Sequence, residues 1–351
     1  GKKQQAVHSI WLIKKTPELT DILACDIGSN CEKTIKGLTR YVEINAFPYS
    51  PISQVVEDVT VKDKDGLSKK LKLAGKPLGE WDLKFFDGIT TGADEAFIVS
   101  EEERDLFISE GYKYGDIMKP IVYGRDISPY SYKLSGSYLL YLPWHFPLHY
   151  DVTIVTASEK AESRFNQQYP AVYRHLLKHA SVLRARSSQV GNSYEWYALS
   201  YHGEHPWDDY YAEQKIACAK QAVHPSFCLD YSGCALLQDC TFIIGQHLKY
   251  ILAVLNSKVG SYLLHELLPD ELGVREVTAD FLSSFVMPVP DVRVESEIGS
   301  LINRLTGYSS GVEREIYEQR LNQLIYDVYA LEASEVATIE AFYAQLSVKD
   351  S

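Results

Sequence analysis

The residues that come nearest to a catalytic pattern are Glu213-Gln214-Lys215, with Asp208 and Asp209 just upstream. A carboxylate pair and a lysine around a divalent metal is what a nuclease of the PD-(D/E)xK type requires, so Asp208, Asp209, Glu213 and Lys215 define a divalent-metal DNA nuclease reading. Three-residue patterns recur by chance in a chain this size, and the competing reading makes Lys215 the first residue of a strand whose Ile216 faces the core. His145 and His149 lie four apart with Asp151 nearby, the spacing of a metal pair on a helix, but Pro143 and Pro147 oppose a helix there and favour loop histidines. Cys218, His224, Cys228, Cys234 and Cys240 would have to converge to hold zinc; no C-x-x-C pair is present, and the alternative is reduced thiols scattered on strands. No Gly-rich nucleotide loop, G-x-S-x-G elbow or H-E-x-x-H occurs. Ser128-Pro129-Tyr130 lacks the second proline of the N/D/S-P-P-Y/F tetrapeptide of amine methyltransferases. Catalysis has no good home in these residues, and no catalytic or metal-ligating set is assigned.

Recognition has a better one. Between Lys160 and Arg186 the cations Lys160, Arg164, Arg174, Lys178, Arg184 and Arg186 outnumber Glu159 and Glu162, with His175, His179, Ser187, Ser188 and Gln189 beside them. Tyr169, Tyr173, Tyr194, Trp196 and Tyr197 are interleaved with this run or follow it. Basic and amide side chains next to aromatics suit phosphate clamping plus base-edge readout. A solvated helix face accounts for the same composition equally well.

The elements that must position these residues follow from the sequence pattern. Ser100-Glu101-Glu102-Glu103 has the capping-box form and starts a helix to about Glu110. Ser137 to Leu142 and Asp151 to Val155 read as strands, as do Glu195 to Leu199, Lys215 to Val223 and Thr241 to Ile244. Ala157 to Arg186 is helical, with Pro170 opening a second helix whose Val172, Tyr173, Leu176, Leu177, Ala180 and Leu183 form one apolar stripe. Helices follow around Leu248 to Leu255 and Val259 to Leu268; Thr278 caps a short one before the extended Phe285-Val286-Met287-Pro288-Val289-Pro290. The last 55 or so residues form acidic amphipathic helices at Glu295 to Leu305, Val312 to Leu331 and Ser334 to Leu346, with Tyr317, Leu321, Leu324, Val328 and Leu331 as a seam.

The chain has 351 residues, a net charge of −12 and 46% hydrophobic residues, which excludes wholesale disorder and fits two domains or one with an appendage. No run of about 18 apolar residues marks a membrane span. The N-terminus has no signal-peptide pattern, which with six irregularly spaced Cys points to a cytoplasmic protein. The first residue is Gly and only two Met occur, as expected of a piece of a longer protein. The negative charge is concentrated from Glu266 to Glu297 and in the helices from Glu313 to Glu340. Screening acts over about 8 Å at physiological salt, so a polyanion would feel the positive run at 160–186 rather than the total.

Taken together the segments resemble the TaqI-like C-terminal specificity domain, the target-recognition region of adenine-specific DNA methyltransferases and fused type II restriction–modification enzymes. Phe86-Asp87-Gly88-Ile89-Thr90-Thr91-Gly92-Ala93-Asp94-Glu95-Ala96-Phe97-Ile98 is close to the family's G-I-x-T-G-x-N-x-A-F-I. The match continues with Lys119-Pro120, Gly124-Arg125-Asp126-Ile127-Ser128-Pro129-Tyr130 and Tyr138-Leu139-Leu140, then Tyr169-Pro170-Ala171-Val172, His175-Leu176 and Leu183-Arg184-Ala185-Arg186. Trp196, Lys215-Ile216, Tyr250-Ile251-Leu252-Ala253-Val254-Leu255-Asn256-Ser257-Lys258 and Met287-Pro288-Val289-Pro290 complete it. The tail Leu324-Ile325-Tyr326-Asp327-Val328-Tyr329-Ala330-Leu331, followed by Glu335, is similar to the ending of the fused enzymes. It departs where Ala330 replaces Gly and Glu332 replaces Thr, and Asp94 stands for the usual Asn.

The resemblance implies an α+β fold: a mixed β-sheet target-recognition domain with flanking helices and a C-terminal helical appendage. It implies residues 1–80 as a connector after a catalytic domain, 81–292 as the DNA target-recognition domain and 293–351 as the helical segment. The chain itself would be non-enzymatic and hold no cofactor, S-adenosylmethionine belonging to an N-terminal methyltransferase domain that flips the target adenine. Its partners would be double-stranded DNA and that domain. Phosphates would be held by Arg164, Arg174, Lys178 and Lys258, and base edges read from loops near Arg184, Arg186, Ser187, Gln189 and Asn192. The shared motifs themselves cannot specify different sequences and are expected to hold the scaffold or touch the DNA backbone. The rival readings are the metal nuclease above and a protein-interaction module that docks a partner through its acidic helices.

Overall fold

The computed structural model describes residues 66–191, 193–200, 214–269, 273–307 and 311–349, together with the short segments 22–24 and 47–49. The chain divides into the units Gly1–Gly66 and Leu67–Ser351. In the first, Ile22–Ala24 pairs antiparallel with Phe47–Tyr49. The second has an α+β fold in which two four-stranded sheets are flanked by helices.

The first sheet has β1 (Leu83–Asp87), β5 (Lys215–Ala219), β6 (Phe227–Asp230) and β8 (Cys240–Gly245) in the order β6-β5-β8-β1, all antiparallel. Its residues alternate between two apolar environments, as the period of two in a strand demands. Ile216, Cys218, Phe227, Leu229 and Ile243 face one core, whereas Ala217, Cys228, Phe86, Phe242 and Ile244 face another. Phe86 and Phe242 are register partners with stacked rings 5.0 Å apart, a cross-strand pair of the kind that fixes register.

The second sheet, of β2 (Ile98–Ser100), β3 (Met118–Val122), β4 (Ser137–Leu140) and β7 (Ala235–Leu236), runs β7-β3-β4-β2. β7 is parallel to β3 and the other pairs are antiparallel, so this sheet is mixed. A parallel bridge between Ile89 and Leu237 joins the two sheets' connections. It brings the chain so close that a Cβ on Gly88 would lie 1.8 Å from the Leu237 carbonyl oxygen.

Helices α1 (Gly66–Lys72), α2 (Asp94–Phe97) and α3 (Glu101–Glu110) come first. α3 has both halves of the capping box, Ser100 Oγ accepting from Glu103 N and Glu103 accepting from Ser100 N. The expected helical stretch 157–186 is three helices, α4 (Glu159–Gln168), α5 (Pro170–Leu177) and α6 (Ala180–Gln189). Pro170 opens α5 at its first turn, Ala161 is buried, and Phe165, Val172, Leu176 and Leu183 are buried in the second sheet's core. Leu177, the exception in the expected stripe, is exposed.

α7 (Leu248–Asn256), α8 (Lys258–Leu267), α9 (Ala279–Ser284), α10 (Val292–Gly307), α11 (Val312–Val328) and α12 (Ala333–Lys349) follow. Thr278 caps α9 through the Phe281 N–H, as expected. Leu67 and Leu71 of α1 share one core with α7 and α8 and with Ile298, Ile302, Leu321, Leu324 and Ile339 of α10 to α12. Tyr317, Val328 and Leu331 pack at its margin, so the expected seam of α11 faces this core.

Two expected strands are absent. Asp151–Val155 forms turns because the Asp151 carboxylate accepts from Thr153 N at 3.1 Å and Thr153 Oγ1 at 2.6 Å, a local bond that competes with extended backbone. Glu195–Leu199 is also turn-like, with Ala198 N bonded back to the Glu195 carbonyl. Among the described residues no helix is long and apolar enough to cross a membrane.

Candidate nucleic-acid interface

α4, α5 and α6 lay Phe165, Val172, Leu176 and Leu183 on the second sheet's core, and Arg164, Arg174, Lys178, Arg184 and Gln189 on them and between them are turned to solvent. Two of these cations have carboxylate neighbours: Arg174 meets Glu110 at 3.2 Å, and Arg184 lies 3.8 Å from Glu162. Arg184 also stacks over the Trp196 ring, 4.7 Å from its centroid. Trp196 is in turn fixed by its indole N–H, which donates to Glu162 at 2.7 Å, and Tyr173 donates to the same oxygen at 2.8 Å. The result is an exposed guanidinium held on a braced aromatic plane beside the Glu162 carboxylate, a fork of the shape that takes up a planar acceptor pair.

Arg186 and Ser187 are placed differently. Arg186 points inward, its Nη1 donating to the Thr91 carbonyl and Nη2 to the Ala198 carbonyl, with Phe97 and Tyr194 rings beside it. Burial lowers its pKa from the usual arginine value, as expected for a charge half removed from water. Ser187 is buried and donates to the Tyr194 carbonyl. They tie the 88–92 loop and the 194–198 turn to α6. Arg184 to Gln189 lie within a helix rather than the loop expected of base readers. Asn192 lies outside the described residues. Lys258 sits far along the chain at the start of α8, ion-paired with Glu340 and 5.4 Å from the Tyr343 ring centroid, so it joins α8 to α12.

The aromatics interleaved with the basic run are chiefly core. Tyr194, Trp196 and Tyr197 are buried, Tyr197 stacks on Phe165 at 4.5 Å, and its hydroxyl donates to the Phe146 carbonyl. They support the basic helices and offer no open face for a base. Sequence spacing does not distinguish these uses, because a ring under a helix and a ring above it obey the same periodicity.

The motif residues line an open trough of about 870 Å³ between the sheets, with Asp87, Gly88, Gly124, Arg125, Lys220 and Gln238 among its walls. A second hollow of about 470 Å³ shares Thr90 and Gln238 with it and reaches His179 and Val182. Lys220 pairs with Asp87 at 3.3 Å, and Asp239 accepts from Gly124 N at 2.8 Å. These residues shape the trough's walls, in keeping with a scaffold role for the motifs. Thr91, buried, donates to Asp94 and accepts from Ala93 N, so Asp94 is engaged inside its own loop.

The nuclease pattern fares differently from the basic run. Lys215 is wholly buried, its Nζ 2.9 Å from Asp230 Oδ2, whereas Asp208, Asp209 and Glu213 lie outside the described residues. Cys218, Cys228, Cys234 and Cys240 are free and buried, and burial holds each thiol above its ordinary pKa, Cys228 at about 12. Among the described residues no three His, Cys, Asp or Glu side chains converge as a metal site. His145 donates through Nδ1 to Glu195, and the His149 ring stacks on Phe146, so the pair splits between two environments.

No protein-family model matches the chain, and no curated protein matches it. Among solved structures, the type IIL restriction–modification enzyme MmeI in complex with DNA aligns at 12% identity and a TM-score of 0.49, over 78% of this chain and 36% of its own. The type IIG restriction endonuclease BpuSI aligns at 12% identity and a TM-score of 0.40, over 81% of this chain and 35% of its own. The chain therefore spans about a third of the length of each.

Proposed function

We propose that the chain is the DNA sequence-recognition region of a restriction–modification type adenine-N6 DNA methyltransferase, gripping duplex DNA and presenting it to a catalytic domain elsewhere in the protein. The observation that carries this reading is Arg184: an exposed guanidinium braced on Trp196, on helices that also expose Arg164, Lys178 and Gln189. Phosphate contacts would come from Arg164, Lys178 and Arg174, the last by exchanging Glu110 for a phosphate. Guanine reading would fall to Arg184, whose fork suits the O6/N7 edge, and amide reading to Gln189. The motif resemblance from Phe86 to Glu335 supports the same class. S-adenosylmethionine and the chemistry at adenine would belong to the catalytic domain, in a cytoplasmic protein.

The test is duplex binding by the chain and by the intact parent protein, measured as a function of salt. Binding that falls steeply with salt is expected, and Arg184→Ala should narrow the gap between target and non-target duplexes by about 1–3 kcal/mol. No salt-dependent binding to any duplex, even with the catalytic domain present, overturns the reading in favour of a protein-interaction module.

A further inference from the structure

The loop 146–157, between the second sheet and α4, has no part in the contacts assigned above. It is closed at its base by one buried carboxylate. Glu195 accepts from His145 N at 2.7 Å, His145 Nδ1 at 3.0 Å and Ser158 N at 2.9 Å, so the residues flanking the loop on either side meet on the same group. Within it, Leu148 N bonds to His145 O, Asp151 N to Leu148 O and Ile154 N to Asp151 O, and Asp151 Oδ1 fastens Thr153. Successive backbone bonds thus run from His145 to Ile154.

Three large apolar side chains of this loop lie open to solvent, beside the exposed Thr153 and Thr156. Tyr150 is 77% exposed, Val152 90% and Val155 77%. Single exposed apolar residues are ordinary, but three on one pinned protrusion keep their hydration cost unless another surface covers them. The charges beside the loop indicate which surface. Ser158 caps α4, whose exposed Lys160 and Arg164 stand one turn apart on a face adjoining the buried Ala161 and Phe165. Asp151 is the acid within the loop; its bonds to Thr153 and the nearby Lys160 hold its carboxyl below the usual range. On α4, Glu162 is engaged by Tyr173, Trp196 and Arg184, and Glu159 is the other acid of this helix, exposed like the two cations. An apolar tip flanked by cations complements a nucleic-acid groove, where phosphates border thymine methyl groups.

Resting on the DNA-recognition reading above, we infer that the loop 146–157 enters the major groove of duplex DNA. Tyr150, Val152 and Val155 make apolar contact with thymine methyl groups there, while Lys160 and Arg164 hold the flanking phosphates. The experiment is a set of anisotropy titrations of the chain with short random-sequence duplexes. Replacing Tyr150, Val152 and Val155 together with Ser is expected to weaken binding by roughly tenfold or more while leaving the salt slope unchanged, since no charge is removed. Lys160→Ala combined with Arg164→Ala should instead reduce the slope by about two. Deoxyuridine in place of thymidine should weaken the unaltered chain and leave the triple variant unaffected. Thermal unfolding of the triple variant should match that of the parent, because all three side chains are exposed. If the unaltered chain binds DNA and the triple variant binds equally well, the loop inference falls and the DNA reading stands. If no duplex binds either to the chain or to the intact parent protein, both fall.

Discussion

Lys215 Nζ lies 2.9 Å from Asp230 Oδ2, with both side chains almost wholly out of solvent. Asp230 also accepts from Ser232 N and Cys234 N at 2.8 Å each and from the Tyr132 hydroxyl at 2.8 Å. Burial pushes its carboxyl up, but the Lys215 ammonium and these donors outweigh burial, and its pKa is lowered overall. Lys215→Met leaves that carboxylate buried without its cation and should cost about 3–5 kcal/mol in urea unfolding. The sign of the pH effect follows from the lowered pKa. The stabilisation is complete above the ordinary aspartate range and is lost as pH falls through the folded value, so the stability gap between the parent and the Lys215→Met chain should narrow as pH falls through that range.

Arg184 and Arg186 stand two residues apart and are expected to behave oppositely. Arg186 feeds two backbone carbonyls across loops, so Arg186→Ala strands both acceptors and should destabilise the fold by about 2–4 kcal/mol. Binding to every duplex should weaken together as the 88–92 loop loosens. Arg184→Ala removes an exposed group and should leave the melting temperature within about 2 °C while altering sequence preference. Thermal melts on the two variants, paired with binding to target and non-target duplexes, separate the roles.

This contrast marks how far the sequence was legible. Elements with strong local signals came through: Ser100 with Glu103, Pro170, Thr278, and the apolar seam of α11 each mark an end or a buried face by chemistry that acts within a few residues. The strand at 151–155 failed because one carboxylate, Asp151, found its own Thr153. At the candidate interface, residue type showed that 160–186 is basic but not which cations turn inward. Arg186 is captured by carbonyls at Thr91 and Ala198, and Lys258 by a carboxylate 82 positions on. Partners so distant in sequence leave no periodic trace. The Glu195 hub that closes the 146–157 loop escaped notice for the same reason.

Ala330 follows α11 with φ of +48°, in the left-handed region, at the position where the resembled enzymes carry Gly. A Cβ there costs about 1–2 kcal/mol, part of which glycine returns through its freer unfolded chain. Ala330→Gly should therefore raise stability by about 0.5–1 kcal/mol in chemical unfolding. The neighbouring departure, Glu332 for Thr, is compensated in part by Glu335, which accepts from Glu332 N at 2.7 Å and pairs with Lys70. Glu335→Ala should accordingly destabilise where Ala330→Gly stabilises.

His175 supplies a pH test of the helical face that carries the candidate interface. Its Nε2 donates to the Ala96 carbonyl at 3.1 Å, its ring meets Phe107 edge-on, and His179 lies 5.5 Å away. Burial is the largest influence and lowers its pKa; the Ala96 carbonyl and Glu103 oppose this, while His179 and Lys178 add to it. A histidine with a depressed folded pKa binds fewer protons folded than unfolded. Its neutral form is therefore no liability above the ordinary value near 6.5, and stability falls as pH drops below that value towards the folded pKa. Unfolding midpoints measured from pH 7.5 down to about 5 should decline in the unaltered chain and decline less in His175→Gln. An equal decline in both would place the sensitivity elsewhere. Protonation of His175 keeps the bond to the Ala96 carbonyl in α2 but places a charge in a half-buried site, and the water it draws in should loosen the 88–97 segment. Amide exchange there should accelerate at low pH ahead of the first sheet.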